Sequence, residues 1–307
     1  MIKNLASLHF LFYNICMRKL IVNDKYNGKN LNKFILDSFP QLNPNELYKA
    51  LRKKDIRING IKVSKNTILK KGDEISIYIV DEILEKLPNI SIVYEDENIL
   101  VVNKPNGISV TENSSSIFCL TSILKKTYSY NFLEPCHRID RNTKGIVLFA
   151  KNQQALEILL DKFKNKEIEK HYLAKVYGIP KNKTSILEAY LFKDSKKSLV
   201  YISDIPKKDY VKIVTEYTLI SSDLKTNTSI LDINLHTGKT HQIRAHLSHI
   251  GLPILGDGKY GINDINKKFS KKTQELYSYK LIFKFSPSSG ILNYLSNKEF
   301  SIPINLK

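Results

Sequence analysis

The hydrophobic pattern of this chain changes character at residue 90. Before it, short apolar stripes at helical spacing are followed by a small hairpin signal. After it, longer apolar strands separated by helices and Gly/Pro turns run to the end. Two such patterns need two hydrophobic cores, and a length of 307 residues suits a small module followed by a larger domain. The boundaries predicted are an extension at 1–16, expected to be poorly ordered, a first domain at 17–80, a linker at 81–89 and a second domain at 90–307. Residues 1–16 imitate a signal peptide, with a lysine ahead of the apolar stretch Leu5–Phe12. They lack a small-residue cleavage site, and Met17 is an alternative start.

In the first domain Leu31, Phe34, Ile35 and Phe39 form a helical stripe that Pro40 is expected to end. A second helix begins near Asn45, with Leu47, Ala50 and Leu51 on its apolar side and Lys49, Arg52, Lys53 and Lys54 around it. Ile56-Arg57-Ile58 alternates into the turn Asn59-Gly60, and Ile61-Lys62-Val63 alternates out, which is a hairpin signal. Gly72-Asp73 forms another turn before a strand at Ile75–Ile79.

The net charge of +18 points to a polyanionic partner, because like charges repel in a compact fold. Nucleic acid leads, an acidic membrane surface comes second, and a lysine-rich bias without purpose is the bland account. No segment approaches the roughly 18 apolar residues of a membrane span. Cys16, Cys119 and Cys136 form no Cys-x-x-Cys pair. That argues against a disulfide scaffold and a thiolate zinc site, and it fits a reducing, cytoplasmic setting.

Four segments of the second domain could carry chemistry. The apolar strand Ile99–Val102 runs into Lys104-Pro105-Asn106-Gly107, a tight turn that displays Asn103 and Lys104 at a strand end. His137-Arg138-Ile139-Asp140-Arg141-Asn142-Thr143-Lys144-Gly145 precedes the central strand Ile146–Ala150. A carboxylate flanked by Arg138 and Arg141 is expected to have a lowered pKa and to serve as a nucleophile; a salt-bridged turn is the alternative. Lys170–Gly178 follows a helix capped by Asn152 that buries Leu156, Leu159, Leu160 and Phe163. Along it Tyr172, Ala174 and Val176 share a face, where a tyrosine is ordinarily core.

The fourth segment, Leu235–Gly251, contains a helix that Thr240 is predicted to cap, with Ile243, Leu247 and Ile250 as its buried stripe. His241, Arg244 and Ser248 share the neighbouring face. Arg244 lies in the first turn, where the helix dipole disfavours a cation, so it needs an anion, and Asp140 would serve. His236, His241, His246 and His249 offer no His-x-x-x-His pair for a metal. Gly256-Asp257-Gly258-Lys259-Tyr260-Gly261 lacks the pattern of a phosphate-binding loop.

Taken together, these segments resemble the RluA family of pseudouridine synthases from about Ile90 to Leu306. The residues that carry the resemblance are Asn103-Lys104-Pro105-x-Gly107, His137–Gly145, Lys170-x-Tyr172, Thr237–His246 and Gly256-Asp257-x-Lys259-Tyr260-Gly261. Ile139, Lys144 and Lys239 depart from the common leucine, serine and arginine, and the last loses the planar fork that grips phosphate. The helices and hairpin of 17–80 resemble the S4 RNA-binding domain, departing at Asn30-Leu31-Asn32, where Arg-Leu-Asp is usual.

The resemblance implies an α+β fold: a mixed, largely antiparallel central sheet flanked by helices, preceded by the small S4-like domain. It implies isomerisation of specific uridines in structured RNA, ribosomal RNA first and transfer RNA second, by a monomer without cofactor or metal. Asp140 would be the nucleophile, Tyr172 would pack on the base and help remove the C5 proton, and Arg244 would aim Asp140. Asn103, Lys104, His137, Arg138, Arg141, Lys239, His241 and Gln242 would bind substrate. Lys49, Arg52, Lys53, Lys54, Arg57 and Lys62 would bind RNA from the S4-like domain. The rival readings are a catalytically silent RNA-binding or ribosome-assembly protein, a metal-dependent nuclease and a DNA-binding protein.

Overall fold

The computed structural model describes residues 15–39, 42, 44–80, 88–112, 119–286 and 288–306. The chain falls into two compact units, one of the residues up to Asn89 together with Glu112 among the described residues, and one formed by Ile90–Thr111 and the residues from Cys119 on.

Among the described residues the first unit begins with β1 (Ile15–Ile21), a strand that runs across the predicted boundary at Met17. The rest of the N-terminal extension and residues 81–87 of the linker lie outside the described residues. Helices α1 (Leu31–Ser38) and α2 (Pro44–Lys53) follow, then β2 (Ile56–Ile58), β3 (Ile61–Val63) and β4 (Glu74–Val80). Pro40 lies outside the described residues, and Phe39 is the C-cap of α1. Asn59 and Gly60 both take positive φ, the geometry of a tight two-residue hairpin turn, as the Asn-Gly pair predicts. The strands form one antiparallel sheet in the order β1-β4-β2-β3. Its inner face sets Ile56, Ile75 and Ile77 against Leu31, Phe34, Ile35, Leu47 and Leu51 of the two helices, so alternation and helical spacing meet in one core.

The second unit is built on an eleven-stranded sheet. Strands β5 (Ser91–Glu95) and β6 (Ile99–Lys104) precede α3 (Leu120–Tyr128), the short β7 (Glu134–Pro135) and β8 (Lys144–Ala150). Helix α4 (Gln153–Lys164) leads into β9 (Ile168–Tyr177), β10 (Thr184–Asp194), β11 (Leu199–Ser203), β12 (Val211–Asp223) and β13 (Thr228–Leu235). Helices α5 (Gln242–His249) and α6 (Asn263–Lys268) precede β14 (Leu276–Phe283) and β15 (Glu299–Ser301). The main order is β11-β10-β12-β13-β9-β14-β8-β6-β5, with β7 on β8 and β15 on β14. The pairing of β8 with β14 is parallel; the other recorded pairs are antiparallel. The fold is therefore the mixed, largely antiparallel α+β architecture expected.

The parallel contact requires Gly145. A Cβ there would meet the Ser278 carbonyl oxygen at 2.0 Å, and the residue sits at φ +117°, a region few side chains tolerate. One core packs α4 against β6, β8 and β14 through Ala155, Leu159, Ile146, Leu148 and Leu281. Asn152 caps α4 by accepting from the Ala155 N–H, as predicted. Leu160, expected in that core, is exposed. Lys162 is buried instead, because its amine meets Glu167 at 2.7 Å and the Ser286 hydroxyl at 3.3 Å.

Candidate active site

The centre of the sheet sets β13, β9, β14 and β8 side by side, and β13, β9 and β8 each carry or adjoin a segment singled out in the sequence. The loop 137–143 leads into β8 and is braced at three points. His137 Nε2 accepts from the Leu148 N–H at 3.1 Å. The Lys104 amine donates to the carbonyls of Pro105, Ile108 and Arg141 at 2.9, 2.8 and 3.0 Å. Gln274 donates to the Thr143 hydroxyl at 2.6 Å. A turn closed by the Thr143 N–H on the Asp140 carbonyl then sets the Asp140 side chain at the strand mouth.

The cation that meets Asp140 comes from elsewhere in the chain. Arg244 Nη1 donates to Asp140 Oδ2 at 2.8 Å, and Asp140 retains 24 % side-chain exposure. Arg244 is itself gripped from the other side. Its Nε and Nη2 reach the two oxygens of Asp257 at 2.6 and 2.9 Å, and Asp257 also accepts the N–H groups of Lys259 and Tyr260. A bidentate fork fixes the guanidinium plane, so its remaining edge points at Asp140. Burial works against both charges. Even so, Asp257 and Asp140 together hold Arg244 above its usual pKa, and Arg244 holds Asp257 below the usual carboxylate range. Asp257 is the one acid between His236 and Asn263. That, with a cation in the first turn of a helix, was the signal that could have found it.

The helix that carries Arg244 is pinned by polar side chains. Gln242 donates to the Val214 carbonyl and the Thr215 hydroxyl and accepts from Thr237 and the Lys239 N–H. His246 meets Thr215 at 3.0 Å, and burial pushes its pKa down to about 4. The N-cap is His241 at φ +53°, not Thr240, and Ile250 is exposed rather than part of the buried stripe. The helix is too short to return Ile250 to the sheet.

His241 Nε2 lies 3.9 Å from Asp140 Oδ2, and Nδ1 lies 2.9 Å from the Tyr260 hydroxyl. Burial lowers its pKa to about 4, so the ring is neutral at pH 7. Tyr172 is buried on β9 opposite Ser278. Burial pushes its phenol well above the usual range, Ser278 opposes by hydrogen bonding, and the charge of Asp140 adds to the rise.

The remaining expected substrate contacts divide. Arg138 and Lys239 are exposed, and Asn103 is half-buried on β6. Lys104 and Gln242 are buried with their polar atoms spent on the protein, which makes them braces rather than ligand contacts. His137 accepts the Leu148 N–H at Nε2, while its buried Nδ1 meets no partner among the described residues; the ring packs 5.1 Å from Phe163, and burial, helped by Lys170, lowers its pKa to about 3. Arg141 Nε donates to the Gly107 carbonyl at 2.8 Å. The four histidines of the fourth segment face separate partners, His236 on Glu216 and His249 on Asp204 completing the set. Among the described residues no three His, Cys, Asp or Glu side chains gather as a metal site. No helix among them is long and apolar enough to cross a membrane.

In the first unit Lys49, Arg52, Lys53, Lys54 and Lys62 are exposed. Arg57 is half-buried, lying 4.8 Å over the Tyr78 ring.

Residues 98–249 match the RNA pseudouridylate synthase family. The chain is 33% identical over 290 residues to an uncharacterized RNA pseudouridine synthase of Mycoplasma genitalium, covering 86% of this chain and 88% of the relative. It is 32% identical over 298 residues to ribosomal large subunit pseudouridine synthase C of Rickettsia bellii, covering 91% and 94%. The fold is similar to human RNA pseudouridylate synthase domain containing 1, with a TM-score of 0.56 at 21% identity over 72% of this chain and 92% of that one. The matched region holds both the braced aspartate loop and the arginine helix, and the chain belongs to the RluA family of RNA pseudouridine synthases, enzymes that isomerise uridine within RNA.

Proposed function

We propose that Asp140 is the nucleophile of this isomerisation, that Arg244 holds it aimed, and that Tyr172 packs against the target base. The reaction breaks the bond between N1 of the base and the ribose, forms one from C5, and exchanges a proton at C5 for one at N1. Nothing is gained or lost, so no second substrate, redox partner or metal enters the scheme. The observation that carries this reading is the 2.8 Å contact of Arg244 with a carboxylate that keeps one side open. A buried cation whose other edge is locked fixes the direction in which the Asp140 carboxylate faces. Burial keeps Tyr172 as the phenol, which supports a packing role first; as the C5 base it would have to pass on its own proton.

Residues 17–80 act as an S4-like RNA-binding domain through Lys49, Arg52, Lys53, Lys54, Arg57 and Lys62. The substrate is ribosomal RNA of the large subunit, the reading favoured by the names of the relatives, and the enzyme works in the cytoplasm as a monomer. The target base must leave its stack, at roughly a few kcal/mol, which cationic contacts to the backbone offset.

The test is pseudouridine formation in transcribed ribosomal RNA and in bulk transfer RNA, with chelator present, comparing wild type with Asp140→Asn. New pseudouridine at a few sites, absent with the variant, is the expected result. Tight binding without product in either RNA would overturn it in favour of an assembly factor.

A further inference from the structure

The surface of α2 carries an aromatic side chain that the first unit's core does not use. Tyr48 is 53% exposed, while its neighbours Leu47, Ala50 and Leu51 are buried. It faces a groove of about 520 Å³ lined by Tyr48, Leu51 and Arg52 of α2 and by Ser64, Lys65 and Asn66 after β3. Tyr48 and Arg52 are four residues apart and so lie on one side of the helix. The opposite wall is held from below. Asn66 Oδ1 accepts the Asn32 N–H at 3.1 Å, the Thr67 carbonyl accepts the Leu31 N–H at 2.8 Å, and the Thr67 hydroxyl meets the Lys65 carbonyl at 3.1 Å. With its oxygen so engaged, the Asn66 amide keeps its N–H donors for something else.

Among the described residues, neither Arg52 nor Lys65 forms an ion pair. Lys49 and Lys53 stand exposed on the same helix, and residues 15–80 hold fourteen lysines and arginines against six acids. The groove thus combines a ring face, an aliphatic wall, two free cations and an amide donor on a preformed frame. One nucleotide matches that set: its base stacks on the tyrosine, its phosphate meets the cations, and its edge meets the amide. A paired base has both faces stacked and cannot present one.

We propose that the groove between Tyr48 and Ser64–Asn66 is a binding site for a single unpaired nucleotide of the substrate RNA. It gives the first unit a preference for a loop or bulge. The proposal rests on the reading of this unit as RNA-binding but not on Asp140.

The chain contains no tryptophan, so Tyr48→Trp in the full-length protein supplies one indole as a local reporter. Titration with a single-stranded oligoribonucleotide should quench its emission, and a duplex of equal length should quench it far less. In the otherwise unaltered protein Tyr48→Ala should weaken single-strand binding about tenfold while Tyr48→Phe keeps it. Unchanged emission at saturation, equal quenching by duplex, or quenching by uridine monophosphate but not by the oligonucleotide would overturn the proposal. So would undiminished binding by Tyr48→Ala. Pseudouridine formation by the same preparations tests the Asp140 reading separately, since Tyr48 has no part in that site.

Discussion

The cations of the two units do different work. In the second unit Arg244, Lys104 and Lys162 are buried, and every one is spent on the protein: Arg244 on two aspartates, Lys104 on three carbonyls, Lys162 on Glu167 and Ser286. In the first unit Lys49, Arg52, Lys53, Lys54 and Lys62 stand in solvent, and none is ion-paired among the described residues. A buried charge costs solvation and repays it only through close, fixed partners, so it positions things. An exposed charge keeps its attraction for a polyanion and stays sensitive to salt. On our reading, one sign of charge therefore aims the chemistry in one unit and gathers RNA in the other.

The largest expected effect breaks the first half of that contrast at its functional end. Asp140→Asn removes the proposed nucleophile and should lower turnover by on the order of 10⁴-fold or more while leaving RNA affinity nearly unchanged. Single-turnover pseudouridine assays beside filter binding would show this, and a parallel loss of binding would mean that Asp140 is structural.

Next comes the partner behind it. Asp257→Asn leaves Arg244 buried with half its compensation, and breaking a buried pair from one side costs about 3–5 kcal/mol. For a domain of this size that corresponds to a fall in Tm of roughly 10 °C, with kcat reduced because Arg244 is no longer aimed. Thermal melting and kcat measured on the same preparation would check it; a kcat unchanged at a temperature where the variant is folded would separate stability from aiming.

The third effect is a pH dependence. His246 has a folded pKa of about 4, below its ordinary 6.5, because burial disfavours its charge. Above pH 6.5 the ring is neutral in both states and the fold loses nothing. As pH falls from 6.5 to 4 the unfolded chain takes up a proton that the folded ring refuses, so stability drops, by at most about 3 kcal/mol for this group. His137, lowered to about 3, adds to the same slope. Melting curves between pH 7 and 4 should show Tm falling, and His246→Asn should start lower yet fall less steeply.

Much of this was legible in the sequence because local signals agreed with the fold. The Asn59-Gly60 hairpin, the Asn152 cap and the alternation of Tyr172, Ala174 and Val176 each needed only their own neighbours. The failures share a cause. Flanking Arg138 and Arg141 looked like the partners of Asp140, but a short loop sends adjacent side chains in different directions, and the recorded partner is 104 residues away. Lys104, His137 and Gln242 read as substrate contacts because polar residues near the expected nucleophile invite that reading. In the structure Lys104 and His137 Nε2 meet backbone groups of the loop and its strand, and Gln242 pins the helix of Arg244, since a segment that must hold a carboxylate still needs its own carbonyls and N–H groups met. Burial of a polar side chain is a tertiary fact that no spacing reveals.

The smallest effect tests the exposed half of the contrast. Lys53 lies at the end of α2 with no ion-pair partner among the described residues, so Lys53→Ala should leave Tm almost unmoved. If it meets a phosphate, its loss removes about one counterion from the binding equilibrium. The slope of log K against log salt should then shallow by about 0.7–0.9, with affinity reduced by a similar factor for different RNA sequences. The exchange Lys162→Met makes the complementary measurement, because that amine is buried between Glu167 and Ser286: Tm should fall and the salt slope should not change. If instead Lys162→Met changed the salt slope and Lys53→Ala did not, the division between positioning and gathering cations would be the wrong way to divide this molecule.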